Sequence, residues 1–140
     1  MKGSMMAGLA GILLGGAGVM AMAKEKPVEN RVFELRTYVA SPGKMDALHA
    51  RFRDHTNKLF VKHGMELVGY WTPSSGEKAD LTLVYILAHK SEAAAKASWD
   101  AFRNDPDWKK AKEESEKDGV KLAAEVKSQF LKPTDYSPIK

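Results

Sequence analysis

Residues 81–89 read LTLVYILAH, apolar at nearly every position. A short run rich in β-branched and aromatic residues, preceded by the turn formers of PSSGEKAD, is a strand buried on both faces. A sheet containing such a strand must be covered on both sides. Whatever helices the chain provides therefore decide whether it can do this alone.

The remaining elements follow in order. VFELRTYVA alternates Phe33, Leu35, Thr37 and Val39 with Glu34, Arg36 and Tyr38, which is a first strand with one greasy and one polar face. Ser41 suits a helix N-cap and Pro42 the first helical position. Met45, Leu48, Phe52, Leu59 and Phe60 then recur at helical spacing until Lys62-His63-Gly64 stops the helix. MELVGYWTP is a second strand, PSSGEKAD a hairpin connection and LTLVYILAH a third strand. Ser91 caps a second helix, SEAAAKASWDAFRND, with Ala94, Ala97 or Ser98, Ala101 and Phe102 expected toward the core. Asp105-Pro106-Asp107 restarts a short helix to about Lys117, as cap, first position and an acid at the positive end of the dipole. KLAAEVKSQFLKP alternates Val126, Ser128 and Phe130 with Glu125, Lys127 and Gln129 as a last strand.

Strand, helix, strand, strand, helix, strand, joined by right-handed crossovers, predicts an α+β, ferredoxin-like βαββαβ protomer with both helices on one side of an antiparallel sheet. The other face stays bare, carrying either Leu83, Tyr85 and Leu87 or Val84 and Ile86. A second copy of the chain, sheet against sheet about a two-fold axis, is the economical cover.

At 140 residues there is room for one domain. The net charge of +4 is scattered among nearly as many acids, with no basic run interleaved with aromatics, so no nucleic-acid partner is expected. Residues 1–23 differ: Lys2, an apolar stretch, then Ala21-Met22-Ala23 before KEKPVENR. A basic start, an apolar middle and an A-x-A end form a secretory signal peptide, cleaved after Ala23. Its alternative is an N-terminal membrane anchor, which six glycines weaken. The expected division is 1–23 signal peptide, 24–30 polar leader and 31–140 the folded domain, periplasmic or secreted and free of stable membrane association once cleaved. There is no cysteine, so neither a disulfide nor a lipid attachment is available.

FELRTY, Pro42-Gly43-Lys44, HTNKLFVKHGMELVGYW, Asp105-Pro106-Asp107-Trp108 and FLKPTDYSP, in this order between Arg31 and Pro138, resemble the NIPSNAP family. The resemblance implies a dimeric α/β barrel built from ferredoxin-like protomers paired sheet to sheet. It implies no agreed enzymatic reaction. The mitochondrial and vesicle-handling roles of the eukaryotic namesakes do not transfer to a chain with a bacterial-style export signal. The wider group includes cofactor-independent monooxygenases, haem-handling enzymes and stress-response proteins, and fold kinship does not choose among them.

His49, His55 and His63 stand six and eight residues apart, too far along one helix to share an ion. His55 and His63 are separated by about 12 Å at ~1.5 Å per residue. With no cysteine and no HExxH, no metal and no cofactor are expected. His63 suits the helix C-terminus, and His55 falls on the apolar stripe as a half-buried residue or a general base at a cavity rim. Ser41-Pro42-Gly43-Lys44 matches S-x-x-K in form only, since its companion motifs are absent. Trp71, Trp99 and Trp108 are expected to pack.

In a barrel of this kind the greasy row of FELRTY meets the helices. Glu34, Arg36 and Tyr38 then point to the interior between two subunits, where Glu34 and Arg36 pair with each other or across the dimer. One reading is an ion-pair network that only fixes the dimer. Another is a cavity where Arg36 holds an anionic or carbonyl group, flanked by Tyr38, Tyr85 and Trp71. Three functions follow: a binding or stress-type dimer with a small apolar or anionic ligand, a cofactor-independent oxygenase or isomerase using His55 or Tyr38 for proton transfer, and a purely structural dimer.

Overall fold

The computed structural model describes residues 30–140 together with Gly18; the expected signal peptide and polar leader, Gly18 and Asn30 apart, lie outside the described residues. Strand β1 (Val32–Ala40) lies between β3 (Thr82–His89) and β4 (Ala123–Leu131), antiparallel to both. Strand β2 (Glu66–Trp71) joins the far edge of β3, so the order is β2-β3-β1-β4. This is the ferredoxin-like protomer that the element order predicts. Among the described residues no helix is long and apolar enough to cross a membrane.

The first helical stretch comprises α1 (Met45–Arg51), a π-type turn (Phe52–Thr56) and α2 (Asn57–Lys62), continuous in backbone conformation. Helix α3 spans Glu92–Asn104 and α4 spans Pro106–Ser115. Ser91 caps α3 by accepting from the Ala94 amide, and Asp105 caps α4 by accepting from that of Asp107, as their sequence positions predict. Ser41 does not cap. Its hydroxyl donates to the Lys121 carbonyl and its amide to that of Leu122, so Ser41-Pro42-Gly43 is a turn tied to the entry of β4, and α1 starts only at Met45.

Gly64, at φ +84°, closes α2. The Met65 amide reaches back to the Phe60 carbonyl and the Gly64 amide to that of Val61, a Schellman ending. An added Cβ there would meet only Ser98 Oγ at 3.7 Å, so substitution costs backbone strain without a clash. Gly64→Ala is expected to lower stability by about 1–2 kcal/mol, read as a shifted urea midpoint at unchanged slope.

Cross-strand partners share a face. Glu34 lies opposite Leu87 and Phe130, Arg36 opposite Tyr85 and Ser128, and Tyr38 opposite Leu83 and Val126. This is the face the helices cover: the Trp99 indole of α3 bonds Glu34, and the Tyr38 ring meets Phe52 edge-on at 5.9 Å. The expectation for FELRTY is therefore reversed. Its polar row points into the protomer's own core, and Leu35, Thr37 and Val39 lie on the open face with Val84, Ile86, Lys127 and Gln129. The greasy row goes outward because the charged pair of the polar one, Glu34 and Arg36, finds its partners under the helices.

The core itself holds Leu48, Phe52, Leu59, Phe60, Met65, Leu83, Tyr85, Leu87, Trp99, Phe102 and Leu122. In α3 the buried stripe is Ala95, Trp99 and Phe102, whereas Ala97 and Ala101 are exposed; the phase follows the large indole rather than the alanines. One end of the open face is roofed by the C-terminal tail. Pro133, Thr134, Ser137 and Ile139 lie over Phe33, Val68, Ile86 and Leu131, around a cavity of about 290 Å³. Arg31 anchors that tail through the Lys140 carbonyl at 2.7 Å.

Candidate functional site

Glu34 is 2% exposed, yet its carboxylate is saturated. Oε1 accepts from Arg36 Nη1 and Ser128 Oγ, each at 3.0 Å; Oε2 accepts from Trp99 Nε1 at 2.8 Å and contacts His89 Nε2 at 3.2 Å. Burial alone would raise the pKa of this acid. The hydrogen bonds from His89 and Trp99, the charge of Arg36 and the Ser128 hydroxyl outweigh it, and the pKa falls to about 2.

Arg36 continues the array. Its Nε donates to the Tyr85 hydroxyl at 3.0 Å and its Nη2 to the Tyr38 hydroxyl at 3.4 Å, and the two tyrosine oxygens stand 2.9 Å apart. Its guanidinium carbon lies 4.2 Å from the centre of the Trp99 ring. Desolvation opposes the charge, but Tyr85, Tyr38 and Glu34 more than offset it, so the pKa of Arg36 rises. Tyr85 has no exposed surface, and burial pushes its pKa well up. Tyr70 stacks on it at 5.1 Å, with its own hydroxyl buried and unpartnered.

The array ends at a cavity of about 250 Å³ between the helices and the β4 side of the sheet. Tyr38, Phe52, Phe102 and Trp108 supply aromatic wall, and Arg51, Lys112, Lys121 and Glu116 supply charge. Arg51 is 7% exposed, bonded through Nη1 to Ser115 Oγ at 3.1 Å and placed 3.6 Å from Glu116, while its Nε has no partner. Burial lowers its pKa despite Glu116. Arg51 ends α1, and the Thr56 hydroxyl of the π-type segment that follows donates to its carbonyl at 3.2 Å.

The NIPSNAP family model matches residues 33–138. The chain belongs to the NIPSNAP family. Solved structures agree with the fold: a NIPSNAP family protein of unknown function from Agrobacterium tumefaciens is 24% identical, with a TM-score of 0.68 over 81% of this chain and 96% of that one. A NIPSNAP domain protein from Burkholderia xenovorans is 22% identical, with a TM-score of 0.64 over 76% of this chain and 98% of that one. No curated protein matches the sequence.

Of the residues singled out in this NIPSNAP chain, Glu34, Arg36, Tyr38 and Tyr85 do come together. They do so beneath the helices of one protomer, so Glu34 and Arg36 are already paired within the chain rather than across a subunit boundary. Trp71 is not with them. A register shift between Leu67 and Gly69 sets Trp71 opposite Val84 on the open face, 53% exposed, with its ring where a Gly69 Cβ would stand. His55 is exposed, in a groove with Lys58, Asp107, Lys110 and Glu114, because the wider π turn rotates Thr56 inward in its place. His63 does sit at the end of α2, where its Nε2 meets Asp105 Oδ2 at 2.7 Å. Lys62 holds the same oxygen, and with the Asp107 amide they keep the Asp105 pKa well below the usual range.

Three residues of the array escaped the sequence reading: His89, Trp99 and Ser128. Trp99 carried a signal, since a buried indole needs an acceptor and β1 offered a carboxylate. His89, at the end of a greasy strand, carried none. Among the described residues no cluster of three or more His, Asp or Glu is placed to hold a metal ion.

Proposed function

We propose that this NIPSNAP protein is an exported homodimer that binds a small aromatic or apolar anion between the helices and the sheet of each protomer. The observation that carries the reading is Arg51: a buried guanidinium with a free donor, set in an aromatic-walled cavity with Lys112 and Lys121 against the single carboxylate of Glu116. A cation stripped of water and incompletely paired gains from an incoming anion, and the aromatic walls suit a ring of about benzoate size. Export rests on the first 23 residues, and pairing on the apolar side chains of the open face, Leu35, Val39, Val84 and Trp71.

Titration calorimetry with benzoate and phenylacetate tests the binding. Both are expected to bind, benzamide at least about tenfold more weakly, and Arg51→Met to weaken the carboxylates by about 10- to 100-fold. Equal affinity for benzoate and benzamide, or no binding of any of them, would sink the proposal. An enzymatic reading keeps one residue, Tyr38, which lines the cavity.

A further inference from the structure

We propose that Tyr38 is the specificity-determining donor of this cavity: its hydroxyl can only give a proton to the ligand, so the ligand presents an acceptor oxygen there, and oxygens bearing the most negative charge are preferred. The inference rests on the cavity being a ligand site and adds what faces Tyr38.

The direction of the array follows from Arg36, which has donors and no acceptor. Its Nε–H occupies the Tyr85 oxygen at 3.0 Å and its Nη2–H approaches the Tyr38 oxygen at 3.4 Å. Tyr85 is wholly buried and must place its own proton. The Tyr38 oxygen, 2.9 Å away, is the acceptor it reaches, and the stacked Tyr70 makes no hydrogen bond. If Tyr38 donated to Tyr85 instead, the Tyr85 proton would be stranded in the core, at a cost of about 1–3 kcal/mol. The oxygen of Tyr38 is thereby filled from two sides, and its proton is left for the cavity that the residue lines.

A cation at the head of the chain also polarises it. Arg36 draws electron density from Tyr85, and Tyr85 from Tyr38, so the terminal proton is a stronger donor than that of an isolated phenol. The cavity then distinguishes ligands by the oxygen they offer: phenolate, carboxylate and carbonyl groups fit, and a group that is itself only a donor does not. Tyr38 is assigned the role of proton donor and not of base.

The test uses 4-nitrophenol, whose absorbance reports its ionisation. Wild-type protein is expected to bind it as the phenolate and to lower its pKa, and Tyr38→Phe to bind the phenolate about 10- to 100-fold more weakly with that shift gone. Equal affinity and an equal shift in wild type and Tyr38→Phe would overturn the inference while leaving the anion site standing. Failure of both benzoate and 4-nitrophenol to bind wild type would overturn the site itself. Should Tyr38→Phe not fold, wild type labelled with 13C at tyrosine Cζ gives the answer: the Tyr38 resonance moves as 4-nitrophenol binds, and a resonance unmoved at saturation overturns the proposal.

Discussion

Glu34→Ala is expected to destabilise the protein by about 3–5 kcal/mol, the size of effect seen when one partner of a buried ion pair is removed. The substitution leaves the Arg36 charge in a dry core and strands the Trp99 indole, the Ser128 hydroxyl and His89, all of which now meet the carboxylate. Glu34→Gln keeps the shape and one acceptor oxygen, so it should fall between wild type and Glu34→Ala. The same carboxylate makes folding sensitive to acid. Its folded pKa is about 2 against an ordinary 4.5, so its contribution is complete above about 4.5 and disappears as pH falls from there toward 2. Urea unfolding of wild type should lose stability across that window, and Glu34→Ala should lose less over the same interval. Because the pair lies within one protomer, the cost at pH 7 should not depend on protein concentration through this contact. A Glu34→Ala protein within 1 kcal/mol of wild type would mean that the carboxylate is not the hub the hydrogen bonds describe.

Most of the chain's elements were legible because their signals are local. Ser91 with the Ala94 amide, Asp105-Pro106 with the Asp107 amide, and Gly64 after α2 each act over a few residues, and the structure uses them as the sequence suggests. The βαββαβ order follows from these boundaries. The orientation of β1 is another kind of fact. Alternation in FELRTY states only that its two faces differ. Which one the helices cover depends on Trp99, 65 positions later, and on Ser128, 94 positions later. A rule that greasy faces meet helices fails where a charged row can be fully satisfied inside. His55 went astray for a nearer reason, since one π turn in the first helical stretch breaks the phase on which the apolar stripe was counted. Trp71 did so through a bulge of the same kind in β2.

Val84→Lys is expected to turn the proposed dimer into a monomer, with at least about a hundredfold loss of self-affinity, since a lysine facing an apolar counterpart is buried without a partner. Val84 pairs with Thr37 of β1 and Trp71 of β2, at a part of the open face away from the residues under the tail. Around it, Leu35, Val39 and the half-exposed Trp71 form an apolar surface that the protomer's own helices cannot reach, because they pack on the other side. A two-fold axis through this surface would set each Trp71 against a second sheet, and large aromatics in such positions tend to dominate interface energies. Trp71→Ala should therefore weaken pairing as well, whereas Ala97→Lys, on the exposed side of α3, should leave it unchanged. Sedimentation velocity over a range of concentrations separates these outcomes. A wild-type protein that sediments as a monomer, or a Val84→Lys protein that still pairs as tightly as wild type, would remove the open sheet from the interface. The cavity proposed to hold the ligand, on the helix side of the same sheet, would then have to work without a second subunit behind it.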